Sequence, residues 1–406
     1  MNILVLDSIH GGQPIAAAFV SRGDQVDLVD VYRGTGPVSV EVARSRKYDL
    51  IVAPVHLDPD HPLIRTAKAP VITHHEAIRQ LLGSYVPGIM VEITGARGKT
   101  TTAHALASLL PGPGILHTSS GTFRYPEKEF ISRSSITPGS VLEAVRLAKE
   151  TGGWLIAEES LGLTCAGTLG IITSAGDFRF AAGKKSALSA KLASARSCKN
   201  LLLAEGITEN PVNNVMHLEN TASCTGTECT ISLGITTRRF INPLIALPAY
   251  RDSLALAATA AVMLGIDPSP LSGFTALTGR MEARYVGGIL VVDNANSGTN
   301  FRTTIDAAQY ARNVAGRNEI TLVIGQQEGD GAVCEGFAFD QILAAMEAIR
   351  PSSLIWVGRF PEPGTPDHAA LIPLAPVRAA TFEEGYTLAR QKTVQGSIVL
   401  AVKTWR

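Results

Sequence analysis

The stretch Ile93-Thr94-Gly95-Ala96-Arg97-Gly98-Lys99-Thr100-Thr101-Thr102 constrains this chain more than any other. An apolar run, Gly88-Ile89-Met90-Val91, leads into it, and a helix-like run from Ala103 to Leu110 leads out. Strand, glycine turn, lysine, hydroxyls and helix are the parts of a phosphate cradle at the carboxyl end of a sheet strand. The glycines let backbone N–H groups close on phosphate oxygens with no Cβ in the way. Lys99 is suited to neutralise the terminal phosphates, and Thr100 to offer its hydroxyl to Mg²⁺. The spacing Gly-x-x-Gly-Lys-Thr is shorter between its glycines than the stricter P-loop pattern. A plain glycine turn between a strand and a helix has the same local form, so the surrounding chain must decide.

At 406 residues, two or three domains are expected. Apolar residues make up 45% and charged residues 18%, enough apolar surface for sizeable cores. The 36 basic and 36 acidic residues cancel, which gives no sign of a broad nucleic-acid surface. The five cysteines (Cys165, Cys198, Cys224, Cys229 and Cys334) form no CxxC pair, so reduced, buried thiols in a cytosolic protein are expected. The start of the chain reads as a strand rather than a leader, and the longest nearly apolar run, Leu254 to Ile266, is too short to span a bilayer. A cytoplasmic protein that engages neither membrane nor nucleic acid is therefore expected.

Residues 1–86 read as a small doubly wound unit. Asn2 to Asp7 is a strand, Ser8-Ile9-His10-Gly11-Gly12 a turn, Pro14 to Arg22 a helix and Gln25 to Val31 a second strand. The Gly-x-Gly-x-x-Gly fingerprint is missing, so Asp30 marks a fold rather than a dinucleotide site. His56, Asp58, Asp60 and His61 crowd a proline-rich segment, which favours loop polarity over a metal site. His74-His75-Glu76 opens a helix. In residues 87–268, Trp154 to Ala157 is a strand that delivers Glu158 and Glu159 at its carboxyl end, natural ligands for a nucleotide's Mg²⁺. A helix carrying Lys184, Lys185 and Lys191 follows Asp177-Phe178, and residues 200–248 read as an antiparallel excursion. Residues 269–406 form a third α/β unit, with polar residues at strand ends, notably Gly279-Arg280-Met281-Glu282 and Asp293-Asn294-Ala295-Asn296-Ser297.

These stretches, in this order, resemble the Mur ligase family, whose members use ATP to activate a carboxylate as an acyl phosphate. The resemblance implies three domains: a Rossmann-like substrate domain (1–86), a central P-loop ATPase domain (87–268) and a Rossmann-like closing domain (269–406). It implies that Gly95, Ala96, Arg97, Gly98, Lys99, Thr100 and Thr101 hold the ATP phosphates, with Thr100 and Glu158 on Mg²⁺ and Glu159 as rival. It further implies that Lys191 is the carbamylated lysine, with Lys184 and Lys185 as rivals, that Arg280 reaches the γ-phosphate and that Asp293 holds the ribose. Lys99, Glu158, Lys191 and Arg280 would carry the catalysis. Three positions depart from the family: Phe178 stands where histidine is common, Tyr250-Arg251-Asp252-Ser253 replaces the Asn-rich adenine motif, and Asn296 replaces a histidine. Within the family the nearest likeness is to ligases that cyclise a propionate side chain of a nickel tetrapyrrole. Two other readings stay open: an amino-acid ligase for a cell-wall precursor or polyglutamylated cofactor, and a nucleotide-binding regulatory subunit without ligase activity.

Overall fold

Four short apolar runs near the amino terminus pair edge to edge in a parallel sheet. They are β1 (Asn2–Leu6), β2 (Gln25–Val29), β3 (Leu50–Ala53) and β4 (Val71–Thr73), in the order β2-β1-β3-β4. The computed structural model describes residues 1–34, 36–327, 337–372 and 375–404. It contains two compact units, Met1–Phe274 and Thr275–Arg406.

The first unit also holds an eight-stranded sheet. Its strands are β5 (Met90–Thr94), β6 (Gly114–Thr118), β7 (Gly121–Tyr125), β8 (Glu129–Ser132), β9 (Trp154–Glu158) and β10 (Leu169–Ile172). A two-stranded hairpin, β11 (Arg179–Phe180) and β12 (Lys185–Ser186), precedes the last two members, β13 (Leu201–Leu203) and β14 (Val215–His217). The order β14-β13-β10-β5-β9-β6-β7-β8 puts β5 in the interior, between β10 and β9, and every residue of β5 is buried. Continuous burial of a parallel strand explains its apolar run. The two sheets share one core: Ile3, Val5 and Val52 of the first, with Phe19 and Ile78 of its helices, pack in the same cluster as Met90, Ile115 and Leu155 of the second and Val145 of a neighbouring helix. An antiparallel sheet, β15 (Ala222–Thr225), β16 (Glu228–Leu233) and β17 (Thr236–Ile241), is the expected excursion. The apolar helix Pro248–Met263 is buried, and among the described residues no helix is long and apolar enough to cross a membrane.

The second unit is a six-stranded sheet of β18 (Glu282–Val286), β19 (Ile289–Asp293), β20 (Ile320–Gln326), β21 (Ser353–Val357), β22 (Val377–Ala379) and β23 (Ser397–Lys403). Its order is β18-β19-β23-β20-β21-β22, parallel except for the β18–β19 hairpin. The α/β class with parallel sheets is thus as the sequence implied.

Two expectations need correction. The cysteines are not free: Cys165 is disulfide-bonded to Cys198, and Cys224 to Cys229. The second pair follows from register, because Cys224 and Cys229 lie directly opposite each other on β15 and β16. Cys334 lies outside the described residues. The lysine-bearing helix is also shorter than expected. It spans Ala187–Ala195 and carries Lys191 alone, whereas Lys184 and Lys185 lie at the β11–β12 turn.

Candidate active site

The glycine turn links β5 to the helix Lys99–Ala107. Gly95 has φ 153° and Gly98 has φ 83°, and a Cβ on Gly95 would stand 2.1 Å from the Thr173 hydroxyl oxygen. Only glycine allows that approach, so Thr173 and Ser174, at the end of neighbouring β10, can brace the loop from within. The Thr173 hydroxyl donates to the Arg97 carbonyl at 2.5 Å. The amides of Ala96 and Arg97 both donate to Ser174 Oγ, at 3.1 and 3.3 Å. Two backbone N–H groups aimed at one oxygen, next to a helix N-terminus, form a concavity whose chemistry fits an anion. Lys99 Nζ lies beside it, donating to the Gly95 carbonyl at 3.0 Å. Arg97 is exposed, and Thr101 is buried in the first helical turn. On the other side, Ser253 of the helix Pro248–Met263 approaches the Gly98 carbonyl at 3.5 Å. Burial raises the Asp252 carboxyl above its ordinary range, against the opposing pull of Arg97 and Arg251.

The neighbouring strands supply the acid. Glu158 Oε2 accepts from the Thr100 hydroxyl at 2.8 Å and from the Ser119 amide at 3.1 Å. Its other oxygen is 3.7 Å from Lys99 Nζ. Thr100 Oγ1 and Ser119 Oγ are 3.2 Å apart. A carboxylate and two hydroxyls are hard oxygen donors of the kind Mg²⁺ takes, beside the glycine turn. Ser119 was not singled out from the sequence. It follows β6, which pairs with β9 rather than β5, and only that strand order brings it to Glu158.

Glu159 points elsewhere. It is fully buried and accepts from the Thr164 amide at 3.0 Å. Burial first, then the charge of Glu92, push its carboxyl well above the ordinary range. Glu92 in turn accepts from the Thr164 hydroxyl and from the Gly167 amide. Both causes favour the neutral form of Glu159, and its bond to the Thr164 amide ties the end of β9 to the loop that follows.

The three lysines also separate. Lys184 is tied by ion pairs to Asp58 and Asp60, at 2.7 and 2.6 Å. Lys185 donates to the carbonyls of Val55 and Leu57. Both therefore fasten the β11–β12 turn to the loop after β3. Lys191 is 1% exposed, with Nζ 5.2 Å from the centre of the Phe178 ring. Its helix is bound to the loop after Glu159 through Ser194, whose hydroxyl accepts from the Leu163 amide. Asp177 caps the start of that helix, accepting from the Leu188 amide and the Ser186 hydroxyl.

In the second unit, Asp293 ends β19, buried, with Oδ1 accepting from the Ala295 amide and Arg284 Nη1 3.9 Å from Oδ2. Asn296 donates to the Gly279 carbonyl at 2.7 Å and accepts from the Gly298 amide. It thereby fixes the Gly279-Arg280 turn against the loop after β19. Arg280 is half-buried in that turn, its amide bonded to the Leu277 carbonyl.

Over its whole length the chain is 30% identical to the coenzyme F(430) synthetase of Methanosarcina acetivorans, covering 99% of that protein. The chain belongs to the coenzyme F(430) synthetase family. The model of the family's C-terminal domain (coenzyme F430 synthetase CfbE, C-terminal domain) matches residues 283–404. A second coenzyme F(430) synthetase, from Methanocaldococcus jannaschii, is 23% identical over 48% of this chain and 50% of its own length. Two solved structures share the fold of this coenzyme F(430) synthetase homologue. A folylpolyglutamate synthase/dihydrofolate synthase superposes with TM-score 0.56, at 13% identity over 81% of this chain and 90% of its own. The D-alanyl-D-alanyl-adding ligase of Acinetobacter baumannii, which acts on a UDP-N-acetylmuramoyl tripeptide, gives TM-score 0.55, at 14% identity over 91% and 84%. The Mur-type α/β fold read from the sequence is therefore shared with these solved structures.

Proposed function

We propose that the protein is a magnesium- and ATP-dependent ligase that activates a propionate carboxylate of a nickel tetrapyrrole as an acyl phosphate. A carbon nucleophile of the same molecule then closes a carbocyclic ring, with release of ADP and phosphate. The observation that carries the nucleotide half is the convergence around β5: two loop amides on one oxygen, Lys99 beside them, and Thr100 and Ser119 on Glu158. Membership of the coenzyme F(430) synthetase family supports the substrate half.

A carboxylate is a poor electrophile because oxide is a poor leaving group. Bound ATP supplies the phosphoryl group that makes one oxygen a good leaving group, with magnesium offsetting charge. In this reading the loop amides, now satisfied by Ser174, turn to phosphate oxygens, and Gly95 and Gly98 keep the approach open. Lys99 offsets phosphate charge, while Thr100 and Glu158 hold the metal. Arg280 and Asp293 serve the γ-phosphate and the ribose, and Lys191 holds a second cation as a carbamate. Residues 1–86 would receive the macrocycle, 87–268 the nucleotide, and 269–406 would close over it to exclude water. A cytoplasmic setting, where ATP is at hand, fits this chemistry.

ADP release tested against candidate carboxylates decides the matter. A nickel tetrapyrrole seco-acid should stimulate release in the wild type and not in Lys99→Ala. Stimulation by a peptide precursor with a free amino acid, and none by the macrocycle, would overturn the substrate. A fully active Lys99→Ala would overturn the nucleotide site.

A further inference from the structure

Asp7, His10 and His56 have no part in the reaction just described, yet they converge. We propose that they bind a free divalent transition-metal ion. Asp7 directly follows β1 and His56 lies just beyond β3; the two strands are neighbours with Ile3 opposite Leu50. The chain leaves β1 for β2 on one side and returns to β3 on the other, so the sheet's winding reverses between them. Beyond the carboxyl ends of such a pair, a parallel sheet opens a crevice. The turn Ser8–Gly12 folds His10 back over it.

His10 Nδ1 lies 2.9 Å and His56 Nε2 3.1 Å from the same oxygen, Asp7 Oδ2. The three ligand atoms all lie within 4.8 Å of one another. Ligands about 2.1 Å from a first-row ion stand about 3.0 Å apart at adjacent octahedral positions. Both spacings to Asp7 are thus already those of a coordination edge. Two imidazoles and one carboxylate form a donor set that favours zinc, cobalt, nickel or iron over magnesium or calcium. Three protein ligands leave positions for water or an anionic oxygen.

The surroundings fix the ligands. Asp7 is fully buried and adopts φ 75°, ψ 91°, a conformation side-chain-bearing residues rarely take. Its Oδ1 accepts from the amides of Ile9 and His10 and lies 3.2 Å from His10 Nδ1, while Oδ2 meets both imidazoles. Tyr32 stacks on His56 at 5.6 Å between ring centres and 17° between planes, and meets His10 edge-on. Lys185 holds the carbonyls on both sides of His56. Each ring is partly exposed, 34% for His10 and 28% for His56, so its proton can sit on the other nitrogen when the metal takes the lone pair.

The test uses the full chain, stripped with chelator and titrated with Co²⁺ in the absence of nucleotide and Mg²⁺. Visible d–d absorption and the histidine ring resonances are recorded. One equivalent should bind and shift both His10 and His56 rings. His56→Ala and His10→Ala should each weaken that binding by more than about tenfold, with nucleotide affinity unchanged. Lys99→Ala should bind Co²⁺ as the wild type does, so failure of the ligase reading and failure of this one are distinguishable. Equal Co²⁺ affinity in the wild type and His56→Ala, or unshifted rings, would reduce the cluster to a hydrogen-bonded network and overturn the proposal.

Discussion

Two adjacent glutamates with opposite duties make a sharp test. Glu158 is 2% exposed and lies 3.7 Å from Lys99 Nζ, itself 18% exposed. Unit charges at that separation attract by about 4 kcal/mol at an effective dielectric near 20. A cation brought to the same carboxylate would gain on the same scale, less what partial solvent access screens. Glu158→Gln keeps the shape and the oxygen that accepts from Thr100, and removes the charge. It should lower turnover by about 3 kcal/mol, or roughly a hundredfold. Burial and the charge of Glu92 raise the Glu159 carboxyl above its ordinary range, and it accepts from the Thr164 amide. Glu159→Gln keeps both a donor and an acceptor, and should leave turnover within a factor of about 3 and unfolding free energy within about 1 kcal/mol. Glu159→Ala leaves Glu92 and the Thr164 amide without that partner and should cost about 2–4 kcal/mol of stability. ADP release across a magnesium titration, with urea unfolding of each variant, measures all three. Near-normal turnover by Glu158→Gln, together with a well-folded but inactive Glu159→Gln, would refute the assignment.

Stability should fall as pH drops below about 6.5, because burial holds His74 at about 4 and His75 at about 3 while the unfolded chain takes up protons at the ordinary value. Between pH 6.5 and 5.5 the two together should cost roughly 2 kcal/mol; His75→Gln, which can still donate to the Ser160 carbonyl, should flatten the urea-midpoint profile. Lys191→Ala should lose at least about a hundredfold in turnover, whereas Lys184→Ala, whose ion pairs are solvent-exposed, should stay within a factor of about 3. Asn296→Ala should raise the KM for ATP more than it lowers stability, since it frees the Gly279-Arg280 turn from the loop after Asp293.

The strand, glycine turn and helix were legible because everything that makes them is local: a buried strand, two glycines with positive φ, a lysine and a helix in one continuous stretch. What the sequence left open depends on distant partners. Glu158 and Glu159 are neighbours at one strand end, and alternation sends them to opposite sides. Which side meets the phosphate loop is set by strand order, and the partner of Glu159 is Glu92 on β5. Lys184 and Lys185 looked equivalent to Lys191 until the β11–β12 hairpin separated them from the helix. His56 was grouped with Asp58, Asp60 and His61 by proximity in sequence. Its partner is Asp7, and the two nearby aspartates belong to Lys184. The cysteine pairs were missed for the same reason: spacing said nothing of the hairpin register that sets Cys224 against Cys229.

The core common to the first two sheets bears on how the chain can be cut. Ile3, Phe19 and Ile78 complete a cluster with Met90, Val145 and Leu155, so removal of residues 1–86 would strip one wall from the hydrophobic interior of the eight-stranded sheet. A protease acting on the native protein should nick first near Phe274, where one compact unit gives way to the next, and resist cleavage near Val86. In evolution the same shared core means that the four-stranded sheet cannot be exchanged like a cassette. A change in residues 1–86 has to be made residue by residue, on a core that β5 also stands on.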